Sequence, residues 1–149
     1  QKKVAELGSD IQACQSIIDE SENKLKYIKV AIKRSELPIE RLSNDVLAIE
    51  KKLNDISVLL YGDPIKNQLD IRQPQNPATR IGVMSWEQKY STSAPTQTHK
   101  NSYAIAKAEI TVLKQKVETI YNVDVKQLEE KLSNSGAPYT PGRGHENKN

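Results

Sequence analysis

From Val4 onward, apolar residues recur at alternating steps of three and four: Val4, Leu7, Ile11, Cys14, Ile18, then Leu25, Ile28 and Ile32. Only Ser21 breaks the register. A stripe of that period follows one face of an α-helix, whereas a strand repeats every second residue. The spacing predicts one helix over about residues 2–34, about 50 Å long at 1.5 Å per residue. Gly8 falls inside it and loosens the first turns. A rod of this length can bury its seam only against other rods, so the chain is committed to a helical bundle.

Ser35-Glu36-Leu37-Pro38 interrupts the pattern. Proline suits a first helical turn and not an interior, so a second helix restarts near Pro38. Its seam is Leu42, Val46, Ile49, Leu53, Ile56 and Leu60. Tyr61-Gly62-Asp63-Pro64 closes it, with glycine offering a left-handed cap and proline forbidding continuation. So short a connection between the first two helices makes them antiparallel neighbours. A third helix is expected over about 96–121, with Tyr103, Ala106, Ile110, Leu113, Val117 and Ile120 as its seam. Asn122 and Asp124 offer capping side chains. Val125, Leu128 and Leu132 then either continue that helix with a bend or form a short fourth one, before Gly136-Ala137-Pro138 stops it.

Residues 62–95 differ in kind. They carry Pro64, Pro74, Pro77 and Pro95, many amides and hydroxyls, and the single Trp and single Met of the chain. They also concentrate Ile65, Leu69, Ile71, Ile81, Val83, Met84 and Trp86, which a loose linker lacks. The segment is expected to be ordered, with a short helix near 79–90 packed across the bundle and Trp86 largely buried. The fold class is therefore all-α: an up-down-up three-helix bundle, a long Pro-containing excursion between the second and third helices, and a short C-terminal helix. Residues 1–135 form the bundle, with 62–95 as its ordered excursion, and 136–149 form a C-terminal tail.

Composition narrows the function classes. The chain has no Phe, only 6 glycines and 36% apolar residues, too few aromatics and turn glycines for a β-sandwich or barrel. Its 22 basic and 19 acidic residues are interleaved, which leaves no basic patch for nucleic acid. Cys14 is the single cysteine, so an intrachain disulfide and a Cys-rich metal site are excluded. No apolar run approaches the roughly 20 residues of a membrane span. The sequence begins at Gln1 rather than Met, which reads as a fragment or a mature piece.

Several short elements of the second half form an ordered set. They are Tyr61-Gly62-Asp63-Pro64, Asn76-Pro77-Ala78-Thr79-Arg80-Ile81, Ser93-Ala94-Pro95-Thr96-Gln97-Thr98-His99 with Ser102-Tyr103 and Ala106, and Gly136-Ala137-Pro138-Tyr139-Thr140-Pro141-Gly142-Arg143. In this order they resemble the C-terminal helical region of bacterial sortilin-like, BNR-repeat β-propeller proteins, often labelled glycosyl hydrolases. The resemblance covers about residues 40–143. It implies an appended helical module of an exported protein (periplasmic, cell-surface or secreted), whose repeats and catalytic groups lie upstream. Its implied partners are its own upstream propeller domain or an envelope protein.

No catalytic residue and no metal ligand set emerges from the residues themselves, and no cofactor is expected. Glycoside hydrolysis needs two carboxylates across a concave site. Asp19, Glu20, Glu22, Glu109, Glu118, Glu129 and Glu130 instead lie off the seams and read as solvated charges. His99 and His145 are the only histidines, and His145 falls in the tail, so a zinc or triad site has little to build on. His99 in the first turn of the third helix reads as capping and docking. Trp86 and Tyr90, at helical spacing, form a carbohydrate-stacking platform, a protein anchor or the apolar side of the excursion, and a core without Phe favours the last. Arg80 ties the loop to helix-end carbonyls or an acid. Arg80, Trp86, Tyr90 and His99 are thus the candidate binding residues. The expected function is a non-catalytic helical interaction or spacer module. The alternative is an accessory domain that lends loop residues to a glycosidase-like propeller site.

Overall fold

A computed structural model describes residues 2–34, 40–91 and 94–134. Among the described residues every regular element is helical: α1 (Lys2–Arg34), α2 (Glu40–Tyr61), α3 (Pro64–Gln68), α4 (Pro77–Tyr90), α5 (Gln97–Thr119), a π-helical segment (Ile120–Val125) and α6 (Lys126–Asn134). The expected start of the second helix at Pro38 lies outside the described residues, as do the stop at Gly136-Ala137-Pro138 and the tail.

The seams are the core. Every apolar seam residue read in α1 and α2 is buried, Cys14 and Leu60 completely. Ser21, at the break in the α1 seam, is also fully buried. Its hydroxyl donates to the Ile17 carbonyl at 2.8 Å, one turn back, so the helix itself satisfies the polar group. Gly62 ends α2 with φ +85°, and its N–H donates to the Val58 carbonyl at 2.8 Å. That left-handed conformation costs a residue with a Cβ and costs glycine little.

The third seam contains an irregularity that the π-helical segment resolves. From Ala106 the buried positions are 106, 110, 113, 117 and 120, but the next is Val125, five residues on, followed by Leu128 and Leu132. A regular helix would aim Asp124 inward and turn Val125, Leu128 and Leu132 away from the core. Ile120–Val125 winds as a π-helix, which absorbs one extra residue and leaves the succeeding turns facing the same way. Val125 and Leu132 are then fully buried. The stretch after Ile120 thus continues the third helix, and Asn122 and Asp124 cap nothing.

Chain contacts separate into two compact units, Gln1–Gln15 with Asp55–Lys116, and Ser16–Asn54 with Val117–Asn149 as far as described. In the first, Lys114 of α5 meets Asp10 of α1 at 3.4 Å. In the second, Lys29 of α1 meets Glu50 of α2 at 2.7 Å, and Lys52 and Asp45 of α2 meet Asp124 and Lys131 at 2.9 and 3.1 Å. Exposed pairs of this kind contribute about 0–1 kcal/mol each, enough to bias register and too little to hold a fold.

One of the carboxylates expected to be solvated is not, and a second is exposed but perturbed. Glu129 is only 8% exposed, and Lys24 reaches it at 3.3 Å. Burial pulls the Lys24 pKa down, but the charge and hydrogen bond of Glu129, with Tyr121 added, outweigh this and raise it. The Lys24 ammonium also lies 4.8 Å from the centre of the Tyr121 ring. Burial, then the charges of Asp19 and Glu50, hold the Glu22 carboxyl above its ordinary value.

The excursion is held by a different force from the one expected. Its hydrophobic side chains supply little of the anchor: Ile65, Leu69, Ile71, Val83 and Trp86 are all exposed, Ile81 is half-buried, and only Met84 and Pro77 are buried. Polar groups close it instead. The Asp63 carboxylate accepts from the Ile65 and Lys66 amides to cap α3. The Gln73 side chain accepts from the Asp63 amide at 2.8 Å and donates to the Asn67 side-chain oxygen Oδ1 at 2.6 Å. Helix α3 ends in a Schellman turn: Ile71 N–H donates to Lys66, Asp70 N–H donates to Asn67, and Asp70 takes φ +58°.

Candidate functional site

All four candidate binding residues belong to α4 and the start of α5, within the first compact unit. Helix α4 starts where Asn76 accepts the Thr79 amide at 2.8 Å and Pro77 fills the first helical position. Pro77 and Met84, two turns apart, share the buried face. The opposite face carries Val83, Trp86 and Tyr90 at the i, i+3, i+7 spacing of one helix stripe, all exposed.

Trp86 is 64% exposed, against the expectation that it fills the core. The cause lies in the register of α4. Met84 and Pro77 already occupy the inward face, and position 86 is two residues, about 200°, further round the helix. Its ring leans on Tyr90, with centroids 5.1 Å apart and planes tilted by 44°. The Lys89 ammonium lies 5.4 Å from the Tyr90 ring centre. The stripe is an aromatic patch flanked by a cation.

Arg80 and His99 face the other way and join α4 to α5. Arg80 Nε lies 3.7 Å from Glu109 Oε1, and neither atom makes a hydrogen bond although both are shielded from solvent. That contact is a proximity of charges, not a hydrogen-bonded bridge. Arg80 thus engages an acid, one of the two roles its sequence position suggested. Thr96 caps α5, its hydroxyl oxygen accepting the His99 amide at 3.1 Å. The His99 ring then reaches back across the connection, Nδ1 lying 2.8 Å from Glu87 Oε2. Docking and capping are both fulfilled there, with Thr96 as the cap and His99 as the tie.

Beside the His99–Glu87 pair lies an open hollow of about 460 Å³, whose walls include Gln88, Ser91, Ala94 and Pro95. Glu87 is the only carboxylate among its described lining residues. Glycoside hydrolysis requires two carboxylates flanking the bond, about 5–9.5 Å apart. Among the described residues no group of three or more His, Cys, Asp or Glu side chains could hold a metal ion. No described helix is long and apolar enough to cross a membrane.

Glu87 is the residue that sequence reasoning passed over. It stands twelve positions before His99, across a connection, where no helical or strand periodicity pairs two residues. Among the described residues, fold and site together define an all-helical arrangement with an exposed aromatic stripe on α4 and, on the same helix, a carboxylate tied to an imidazole of α5. Compared with known protein families, curated proteins and solved structures, the chain matches none.

Proposed function

We propose that this chain is a non-catalytic helical interaction or spacer module that works by presenting the α4 stripe to a protein partner. The observation that carries this reading is the exposure of Trp86 and Tyr90, at 64% and 63%, on a helix otherwise fixed by two buried anchors and two ties to α5. Aromatic side chains on a rigid element are the usual anchors of protein interfaces, because they bury much area for few rotatable bonds. The resemblance of its ordered motifs to the helical region of sortilin-like propeller proteins supports an exported parent, with its own propeller or an envelope protein as the partner.

The long helices supply the rigidity, in an up-down-up arrangement. Two ion pairs in the second compact unit support this reading. Asp45 and Lys52 on α2 meet Lys131 and Asp124 respectively, so numbers fall on one rod as they rise on the other.

A second reading has a specific observation in its favour. The hollow beside His99 and Glu87 is the kind of surface an accessory domain lends to a neighbouring glycosidase-like site. Its test is kinetic: His99→Ala in the parent protein would lower glycosidase kcat. The interaction reading expects Trp86→Ala/Tyr90→Ala to abolish co-purification of the partner from native extracts while glycoside turnover by the isolated chain stays absent. Retained co-purification with a fully folded double variant would overturn it.

A further inference from the structure

We propose that the α2–α5 groove around Val112 is a self-association surface, occupied by an antiparallel second copy of this chain. The groove, about 340 Å³, lies wholly within the first compact unit. Its apolar walls are Leu59 and Val112, 52% and 50% exposed, with Ala108 between turns and buried Leu113 at the floor. Glu109 stands at one end and Lys116 at the other, two turns apart on α5. At 1.5 Å per residue their separation along the axis is about 10 Å.

That pairing of charges identifies the occupant. A two-fold axis across α5 between residues 112 and 113 maps position 109 onto position 116. An antiparallel copy therefore sets Glu109 against the copy's Lys116 and Lys116 against the copy's Glu109, with the two Val112 side chains at the centre. The interface is isologous, and one surface supplies both halves of each pair. A parallel copy would oppose Glu109 to Glu109 and Lys116 to Lys116. The Glu109 side chain is 42% exposed although its Oε1 is turned away from solvent, and Lys116 makes no ion pair among the described residues. Arg80 engages Oε1 at 3.7 Å, and the exposed remainder of the carboxylate is what a copy's Lys116 would meet. The apolar patch is smaller than the roughly 800 Å² per partner of a stable interface, so the association is weak and concentration-dependent.

Sedimentation equilibrium of the full chain over about 10 μM to 1 mM tests this directly. The expected result is a monomer–dimer equilibrium. Lys116→Glu should weaken it about tenfold, since two attractive contacts become two repulsive ones. Val112→Glu should abolish it. Glu109→Lys combined with Lys116→Glu should restore it, because the swap preserves complementarity under the two-fold axis. Helical circular dichroism confirms that each variant is folded. A monomer throughout the range, or a dimer indifferent to Lys116→Glu, overturns the proposal. So does a failure of the double swap to recover association.

Discussion

The five-residue step between Ile120 and Val125 makes the third helix tolerant of a deletion that would ruin a regular one. Removing Asn122, which is exposed, shortens the step to four, and the segment can then wind as an ordinary α-helix with Val125, Leu128 and Leu132 still inward. Tyr121 stays before the deletion and Asp124 after it, so their contacts with Lys24 and Lys52 keep their bearings. The expected cost is within about 1 kcal/mol, the range of changes that leave the core intact. Deleting Lys51, equally exposed, is the comparison, because α2 has no extra residue to release. Everything after it turns by about 100°, carrying Leu53, Ile56 and Leu60 off the seam. Three buried side chains at about 1.5–3 kcal/mol each amount to about 5–9 kcal/mol, on the scale of the whole stability of a domain. Urea denaturation followed by helical circular dichroism reads both. If deleting Asn122 unfolds the protein as deleting Lys51 does, the skip-residue explanation of the π segment is wrong.

Further outcomes are expected elsewhere. Ile49→Asp buries an unpaired charge at a position 6% exposed and should cost more than about 3 kcal/mol, whereas mild losses at Ile49, Leu53 and Leu113 alike in urea melts would contradict the seams. The fluorescence of Trp86, the only tryptophan, should be that of a solvated indole and readily quenched by iodide, and Trp86→Ala should change stability by no more than about 0.5 kcal/mol. The raised pKa of Glu22 means that the native state holds its proton more tightly than the unfolded chain, so stability falls as pH climbs from the ordinary carboxylate value through the raised one. Glu22→Gln should therefore be more stable than wild type at neutral pH and lose that advantage in acid, as urea melts across pH would read.

The seams were legible in the sequence because burial on a helix leaves a period, and Leu42 to Leu60 declare it without interruption. Gly62 and the prolines were legible for a similar reason, since glycine alone takes the left-handed turn at little cost and proline fixes φ and cannot continue a helix. The π segment was visible only as a lapse in spacing, which a capped break explains equally well until the backbone is seen. Trp86 was misjudged because composition argues that a core without Phe needs volume, while the register of α4 is set by Pro77 and Met84. The His99–Glu87 tie had no periodic signature, being a contact between two helices across a connection. Glu129 illustrates the same blindness. Position off the seam predicts solvation, but a neighbouring helix can cover a flank as well as a face.

The role of the α4 stripe is most directly tested by photo-crosslinking in cells that make the protein naturally. With p-benzoyl-phenylalanine at position 86, irradiation should yield one dominant adduct to a protein partner or to another part of the parent chain. The same group at position 47, exposed on α2 in the other compact unit, should yield little. Equal yields at the two positions, or no specific adduct at position 86, would contradict a docking role for Trp86 and Tyr90.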